Sequence, residues 1–412
     1  MQIGDRKIGL DQPPYIIAEI GVNHDGEVAR ALELTDAAAD AGADAVKLQF
    51  FETDRLMSKA AKLAAYQKNA GETDPIDMLK RLELTIDEMA LVVDRAHERG
   101  IHAIVTVFSM ELVEVAETLA WDAYKTASPD IVNRPLLEAL MTTGKPMIVS
   151  TGASELDEVV RAVGWLDEAR DRLAVLQCVS CYPAPKLALG GIQAILDAVN
   201  LPTGYSDHTK SHRTGNTAVV AGACVIEKHI TDDRKRIGPD HKASLLTMQL
   251  GGYVEVCRCA PSGRTMFRRL VDQIAEVEVE DRERPSKRKL WKLFKKSEPD
   301  MPISKSSSLH RALTKLGFSE VNKELGADAI HAANETRNEK RVLDCERDVR
   351  DVSRQSVVSA CNIESGTTIT CEMLTIKRPG TGILAYAIDT VVGRVATRAI
   401  EADVPIVEED LE

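Results

Sequence analysis

The chain has 412 residues, of which 44% are hydrophobic and 4% aromatic, and its formal net charge at pH 7 is −12. A chain of this length fits one large domain joined to a smaller one, and it carries enough apolar residues to bury a core. The negative charge argues against general affinity for nucleic acid.

The eight cysteines are scattered without the spacing of a disulfide framework, which is typical of a reducing compartment. The first residues lack the apolar stretch of a signal peptide. No apolar run reaches the ~18 residues that a membrane span needs. We therefore expect a cytoplasmic protein without a transmembrane segment.

Residues 1–260 repeat one unit, a short apolar strand with a polar tip followed by a helix. Eight such units in about 250 residues indicate an α/β fold of the (β/α)8 TIM barrel type. An open doubly wound sheet would normally carry a G-x-G-x-x-G turn after its first strand, and none is present. The predicted strands span 15–20, 44–50, 102–108, 123–128, 146–151, 173–180, 203–207 and 224–230. The predicted helices span 28–41, 86–99, 111–119, 134–143, 154–169, 191–199 and 214–223.

The barrel is followed by a change of composition. Residues 261–338 are predicted to form a long charged linker, in which 282–296 carry eight cations against one acid. This basic run fits either a solvated linker or a segment that docks on anionic lipid or on a partner. Residues 339–412 contain short β-branched runs separated by Gly and Pro, which predicts a small β-rich domain.

Polar side chains stand at the carboxyl end of every predicted barrel strand, where barrel enzymes place their active sites. Lysines within apolar strands, with hydroxyl groups beside them, favour an anion pocket; these are Lys47, Lys125 and Lys228. His208 and His229 end consecutive strands and are suited to hold one divalent ion. The residue types indicate a phosphorylated or carboxylated small substrate, with carbon–carbon bond formation or phosphate release as the reaction class.

Eight stretches at these positions, taken in order, resemble the N-acetylneuraminate (sialic acid) synthase family of bacterial type. They are 18–26, 46–49, 65–69, 124–128, 150–152, 204–208, 226–229 and 238–244. In the tail, residues 354–356 and 377–382 resemble the C-terminal antifreeze-like (SAF) domain of that family. The resemblance covers most of residues 1–260 and 339–412.

The resemblance implies condensation of phosphoenolpyruvate with an open-chain N-acetylhexosamine, typically N-acetylmannosamine, to give a nine-carbon 2-keto acid and phosphate. It implies that His208 and His229 bind Mn²⁺ or Mg²⁺. It also implies that Arg354 reaches the sugar bound by a partner chain, and hence a domain-swapped homodimer.

The same resemblance implies roles for the other residues at the strand ends. Glu19, Glu227 and Asp240 would be the catalytic carboxylates. Phosphoenolpyruvate would be held by Lys47, Lys125, Ser150 and Ser206. The sugar would meet Asn69 and Tyr182. The side chains of Gln49, Thr106 and Ser180 complete the predicted substrate site.

Three alternatives stay open from the sequence. The acceptor sugar can instead be a legionaminic or pseudaminic acid precursor or a 6-phosphorylated hexosamine, because the stretches 105–109 and 178–182 depart from the family pattern near the expected sugar. A related 2-keto sugar-acid synthase would use an aldose phosphate. A non-enzymatic carbohydrate- or ice-binding protein would carry an inert barrel.

Overall fold

The computed structural model describes residues 1–259 and 339–412. The whole of the predicted linker 261–338, including the basic run 282–296, therefore lies outside the described residues. The chain begins with an antiparallel pair, β1 (Gln2–Ile3) and β2 (Arg6–Lys7). No helix in the two described ranges combines the length and the apolar character that crossing a bilayer requires.

Eight parallel strands form a closed barrel. Each strand pairs with the next along the chain, and the last strand, β10, also pairs with the first, β3. The barrel strands are β3 (Tyr15–Glu19), β4 (Ala45–Phe50), β5 (His102–Val107), β6 (Ala123–Thr126), β7 (Met147–Ser150), β8 (Leu173–Cys178), β9 (Thr203–Asp207) and β10 (Val225–Thr231). The predicted TIM barrel is confirmed. A short strand, β11 (Leu245–Leu246), adds to β10.

Side chains alternate between the inside and the outside of the barrel because successive residues of a strand point to opposite faces. The lower interior is a buried apolar cluster that includes residues of the first turn, and its members are Ile3, Ile8, Tyr15, Ile17, Ala45, Ile104, Ala123, Ile148, Leu176, Cys224 and Val225. At Gly204 a Cβ atom would lie 2.5 Å from Leu176 Cδ2 and 2.5 Å from the carbonyl oxygen of Val225, so the interior has room only for glycine there.

The outer layer consists of helices that pack on the outward faces of the strands and enclose the largest apolar cluster. They are α1 (Val28–Asp40), α5 (Ile86–Glu98), α6 (Val113–Ala116), α7 (Arg134–Thr142), α8 (Leu156–Trp165), α9 (Gly190–Val199), α10 (Thr214–Val220) and α11 (Thr247–Cys259). The α5 helix begins at a capping box, in which Thr85 and Glu88 each accept a backbone N–H of the other residue.

Two predicted helices are shorter in the structure. The segment 111–119 forms a 3-10 turn at Met110–Leu112 and the single-turn helix α6, and α8 ends at Trp165 before a 3-10 turn over Asp167–Arg172. Three short helices were not predicted and lie between β4 and α5, namely α2 (Thr53–Leu56), α3 (Ala65–Ala70) and α4 (Pro75–Leu82). They build one side of the barrel mouth.

The C-terminal part begins with helix α12 (Arg347–Ser353) and continues into an antiparallel pair, β12 (Ser356–Ser359) and β13 (Leu374–Lys377). It has its own apolar core, which includes Val357, Ile369 and Ile406. This small domain packs on the carboxyl end of the barrel of the same chain.

Backbone hydrogen bonds fix the contact between the two parts. Arg378 N donates to the Leu56 carbonyl over 2.9 Å, and Ser58 N donates to the Arg378 carbonyl over 3.0 Å. The small domain therefore lies over the mouth that the α2–α4 segment borders.

Candidate active site at the mouth of the barrel

A pocket of about 900 Å³, including its open mouth, lies at the carboxyl ends of the barrel strands. It extends from buried polar side chains inside the barrel to an outer wall contributed by α2, α4, α12 and the small domain. The pocket brings together twelve of the side chains predicted from the sequence: Lys47, Gln49, Thr106, Lys125, Ser150, Ser180, Tyr182, Ser206, His208, Glu227, His229 and Asp240.

The inner end of the pocket is a buried cluster of charges. Glu227 lies between two lysines, with its carboxylate oxygens 3.9 Å from Lys47 Nζ and 3.3 Å from Lys125 Nζ. Lys47 also forms an ion pair with the fully buried Glu19 and donates to Thr106 Oγ1 over 3.0 Å. Ser206 Oγ donates to Glu227 Oε1 over 2.7 Å. Fixed cations in a site from which water is largely excluded attract anions far more strongly than they would in water.

The buried carboxylates differ in how readily they hold a proton. Burial raises the pKa of Glu19 against the opposing effect of Lys47. Burial also raises the pKa of Asp240, to about 7, with a contribution from the charge of Glu19. In contrast, Lys125 and Lys47 outweigh burial at Glu227 and lower its pKa to about 2. The site thus pairs a permanently ionised carboxylate with one that exchanges protons near neutral pH.

Two imidazoles face each other above this cluster, with ring centroids 5.6 Å apart. His208 Nδ1 lies 2.7 Å from the Val179 carbonyl oxygen. Because a carbonyl can only accept, Nδ1 carries the proton and Nε2 presents a lone pair. His229 Nδ1 is buried without a hydrogen bond, although Asp240 Oδ2 lies 3.4 Å away. Burial lowers the pKa of both imidazoles, that of His208 to about 4, so both are neutral at pH 7.

Neutral imidazoles with free lone pairs are the donors that a divalent transition metal accepts. Within residues 1–259 and 339–412, no group of three or more His, Cys, Asp or Glu side chains is arranged as a metal site. The pair His208 and His229 therefore fits an ion whose remaining positions are filled by water and substrate oxygens.

The outer wall of the pocket is mainly apolar and aromatic. The ring of Tyr182 lies 4.2 Å from that of His208 and 4.9 Å from that of Tyr66, measured between centroids. Most of the apolar members of this wall belong to one buried cluster, which we call the apolar wall: Val22, Phe51, Leu56, Met78, Leu79, Leu82 and Phe108.

Arg378 of the small domain also lines the pocket and was not predicted from the sequence. Its Nε is buried without a hydrogen-bond partner, and its guanidinium carbon lies 5.5 Å from the centroid of the Phe108 ring. Burial lowers the pKa of Arg378. The sequence signal for it was present, because Arg378 stands inside the stretch 377–382 that carries the SAF resemblance.

Three predicted residues lie elsewhere. Arg354 is buried behind the pocket, where its guanidinium donates to Glu158 over 2.5 and 2.9 Å. Asn69 is exposed on α3, and its carbonyl accepts from Lys242. Glu19 lies beneath the pocket floor and contacts it through Lys47.

The prediction that Lys228 lines the anion pocket is wrong. Its Nζ lies 3.1 Å from Asp207 Oδ2 on the outer face of the barrel, and the Tyr253 hydroxyl donates to the same carboxylate over 2.9 Å. Lys228 stands between Glu227 and His229 in one strand, so it points to the opposite face.

Comparisons with known proteins identify the family of the chain. Residues 34–262 match the NeuB family, and residues 354–412 match the SAF domain. The chain is 38% identical over 266 residues to the N,N'-diacetyllegionaminic acid synthase of Legionella pneumophila. The aligned region covers 62% of this chain and 75% of the relative. The protein MJ1065 of Methanocaldococcus jannaschii is 30% identical over 415 residues, covering 100% of this chain and 98% of its own length.

A solved structure shares the whole architecture. The spore coat polysaccharide biosynthesis protein SpsE of Bacillus subtilis superposes with a TM-score of 0.70 at 26% identity, covering 100% of this chain and 99% of the other. The family match spans more than half of the chain, and the named synthase is similar over 62% of it. The chain therefore belongs to the NeuB family of sugar-acid synthases and ends in a SAF domain.

Proposed function

We propose that this protein is a transferase that condenses phosphoenolpyruvate with an N-acetylhexosamine and water, giving a nine-carbon 2-keto sugar acid and inorganic phosphate. The observation that carries the proposal is the polarity of the pocket. Its buried end holds Lys47, Lys125 and several hydroxyl groups, while its outer end is apolar and aromatic with the single cation Arg378 among its lining residues. A small dianionic or trianionic acid suits the first end, and an uncharged sugar suits the second.

Lys47 and Lys125 supply the charge that binds the phosphate and carboxylate of phosphoenolpyruvate. The hydroxyls of Ser150 and Ser180 donate to its oxygens. Ser206 donates to Glu227 in this structure and would have to turn its hydrogen away to join them. Ser150 Oγ is itself buried without a hydrogen-bond partner. In the absence of substrate, the carboxylate of Glu227 lies between the two ammonium groups and offsets their mutual repulsion.

In the reaction, C3 of phosphoenolpyruvate bonds to the aldehyde carbon of the open-chain sugar, whose oxygen takes up a proton. Water then adds to C2, and cleavage of the bond between C2 and the phosphate oxygen releases phosphate. Asp240, with a pKa of about 7, exchanges the proton with the aldehyde oxygen or the water. The ionised Glu227 stabilises the positive charge that develops at C2.

We also propose that His208 and His229 would hold Mn²⁺ or Mg²⁺ in the pocket. The ion would polarise the aldehyde as a Lewis acid. Removing the His229 imidazole should abolish high-affinity Mn²⁺ binding, measured by electron paramagnetic resonance on the protein without substrates. Unchanged Mn²⁺ affinity in His229→Ala would contradict this assignment.

The apolar wall also fits an acceptor other than N-acetylmannosamine. An acetamido group presents a methyl group, which gains from contact with apolar side chains, whereas a hydroxyl group loses its hydration there. The Legionella pneumophila relative is named for a product with two acetyl groups. A hexose with two acetamido groups is therefore a second candidate acceptor.

The test is phosphate release by the purified protein with phosphoenolpyruvate, Mn²⁺ and a panel of sugars. The panel contains N-acetylmannosamine, its 6-phosphate, a diacetamido hexose and arabinose 5-phosphate. Release that requires an acetamido sugar supports the proposal, and the acceptor with the highest kcat/KM decides between the two candidates. Release only with arabinose 5-phosphate would establish the aldose phosphate alternative, and no release with any sugar would leave a binding protein.

A homodimer is a further part of the proposal, and in a domain-swapped one the contact that here joins Arg378 to Leu56 within one chain would form between two chains. Mixing Glu227→Gln with Arg378→Ala chains under conditions that allow subunit exchange should then restore about one quarter of wild-type activity, assayed at a sugar concentration far below KM, because one site in four combines an intact barrel with an intact small domain. No recovery would show that each small domain serves its own barrel.

A further inference from the structure

Glu346 belongs to the short turn that precedes α12, and its carboxylate is buried against the barrel. Glu346 Oε1 accepts the backbone N–H of Ala153 and that of Ser180, each over 2.7 Å. Glu346 Oε2 accepts the N–H of Leu343 over 2.9 Å. Ala153 and Ser180 lie in the loops that follow β7 and β8. One carboxylate from the C-terminal segment therefore joins two loops of the barrel mouth.

The backbone at Ala153 is in a conformation that requires such support. Its φ is +52°, in the left-handed region that residues with a Cβ atom rarely adopt. Its N–H is held by Glu346, and its carbonyl accepts from Arg350 over 2.6 Å and from Arg354 over 3.2 Å. The C-terminal segment thus binds the peptide groups on both sides of Ala153. Nothing in the proposed chemistry uses these three charged residues directly.

The position of Ala153 sets the position of hydroxyl groups in the pocket. The preceding Gly152 N donates to Ser128 Oγ over 3.0 Å. A Cβ atom on Gly152 would lie 2.1 Å from Ser180 Oγ and 2.8 Å from Ser128 Oγ, so the loop backbone packs directly against both hydroxyls. Ser128, Ser150 and Ser180 all line the pocket. A shift of the Gly152–Ala153 peptide would therefore displace them.

We propose that Glu346 is a positioning residue for the phosphoenolpyruvate end of the site. By holding Ala153 and Ser180, it fixes the hydroxyls of Ser128, Ser150 and Ser180 in the arrangement that receives the phosphate and carboxylate. Docking of the small domain then governs affinity for phosphoenolpyruvate and not only for the sugar. This inference rests on the proposed function.

The kinetic test compares three variants. Glu346→Ala should raise KM for phosphoenolpyruvate about tenfold and change KM for the sugar less than twofold, since only the hydroxyl cluster is displaced. Glu346→Gln should stay within about threefold of the wild type, because its amide oxygen still accepts both N–H groups. Ala153→Gly in the Glu346→Ala background should recover most of the loss, because glycine adopts a positive φ without support.

If Glu346 only attaches the small domain to the barrel, the two KM values should change differently. Loss of docking would withdraw Arg378 from the pocket, so KM for the sugar would rise at least as much as KM for phosphoenolpyruvate. Ala153→Gly would not reverse that loss. Either result would overturn the proposal. If Glu346→Ala does not fold, Glu346→Asp replaces it. The aspartate side chain is one methylene shorter, so its carboxylate does not reach the two amides. KM for phosphoenolpyruvate should again rise more than KM for the sugar.

Hydrogen exchange provides a readout that does not depend on the proposed reaction. Without substrates, Glu346→Ala should accelerate exchange of the Ala153 and Ser180 amides at least tenfold, while the Ser58 amide, which bonds to Arg378, keeps its wild-type rate. Equal acceleration at Ser58 would show undocking of the whole domain and overturn the inference. If Glu346→Ala changes exchange in this pattern but the wild-type protein has no synthase activity, the result refutes only the proposed function.

Discussion

The lower and upper halves of the barrel interior are formed by the same eight strands but by opposite kinds of residue. The lower half is an apolar cluster to which every barrel strand except β9 contributes, while β9 supplies Gly204 at the same level. The upper half holds ion pairs and buried polar atoms without a hydrogen-bond partner, including Ser150 Oγ and His229 Nδ1. Buried polar atoms without partners cost stability, whereas apolar contacts supply it. The lower half therefore maintains the barrel, and the upper half is arranged for a ligand.

The largest expected effect comes from breaking the upper half. Glu227→Gln should lower kcat by about a thousandfold, because it removes the negative charge between Lys47 and Lys125 where positive charge develops on the substrate. Its thermal midpoint should also fall, because Lys47 and Lys125 lose the carboxylate that offsets their charges. A variant that keeps wild-type kcat would remove Glu227 from the reaction.

The matched change in the lower half is Ile148→Ala. Ile148 stands two residues before Ser150 on the same strand, so both side chains point into the barrel. The cavity should lower the free energy of unfolding by about 3 kcal/mol, measured by urea denaturation. The kcat of the folded variant should stay within about twofold of the wild type. A loss of kcat as large as that of Glu227→Gln would mean that the two halves do not divide stability and function as described.

The third prediction compares Arg378 with Arg354, two arginines of the small domain. Arg378→Ala should raise KM for the sugar about thirtyfold, equivalent to about 2 kcal/mol for a lost charged hydrogen bond. Arg354→Ala should raise it much less, because that guanidinium is held by Glu158 outside the pocket. Steady-state kinetics with phosphoenolpyruvate at saturation distinguish the two. A larger effect of Arg354→Ala would restore the assignment made from the sequence.

Much of this division was predictable from the sequence. Apolar strands with polar tips predict both the barrel and the end that carries the site, and strict alternation within β10 assigns Glu227 and His229 to the inside. The same alternation places Lys228 on the opposite face, away from the pocket. Residue type alone therefore misleads at this position. The places of Arg378 and Glu346 relative to the pocket depend on how the small domain packs on the barrel. Arg378 stands in the SAF-like stretch 377–382, but no local pattern encodes its contact with the barrel. The α2–α4 segment is likewise set by tertiary contacts around short, weakly periodic helices.

The smallest effect is expected from pH. Burial alone would raise the pKa of Glu158, but hydrogen bonds from Arg354 and Arg350 outweigh it and lower the pKa to about 2. Because the folded pKa lies below the unfolded value, this stabilisation is complete above about pH 4.5 and is lost as the pH falls towards 2. It amounts to about 2 kcal/mol after allowance for the partly exposed Arg350.

Unfolding measured between pH 7 and pH 3 checks this contribution. Glu158→Gln should be less stable than the wild type at pH 7, and the difference should shrink at pH 3. Glu408, an exposed partner of Arg394, provides the control, since Glu408→Gln should change stability by less than about 0.5 kcal/mol at either pH. A constant difference for Glu158→Gln across this range would contradict the assignment.

The apolar wall has a consequence for how such an enzyme changes its preference among sugars. Leu56, Met78, Leu79 and Leu82 belong to α2 and α4, which connect β4 to α5 and contribute no residue to the barrel sheet. On the proposed function, this segment would set selectivity for the acceptor, while residues of the strands would recognise phosphoenolpyruvate. We therefore expect that grafting residues 51–83 from a relative with another acceptor would change the acceptor sugar without altering the barrel strands.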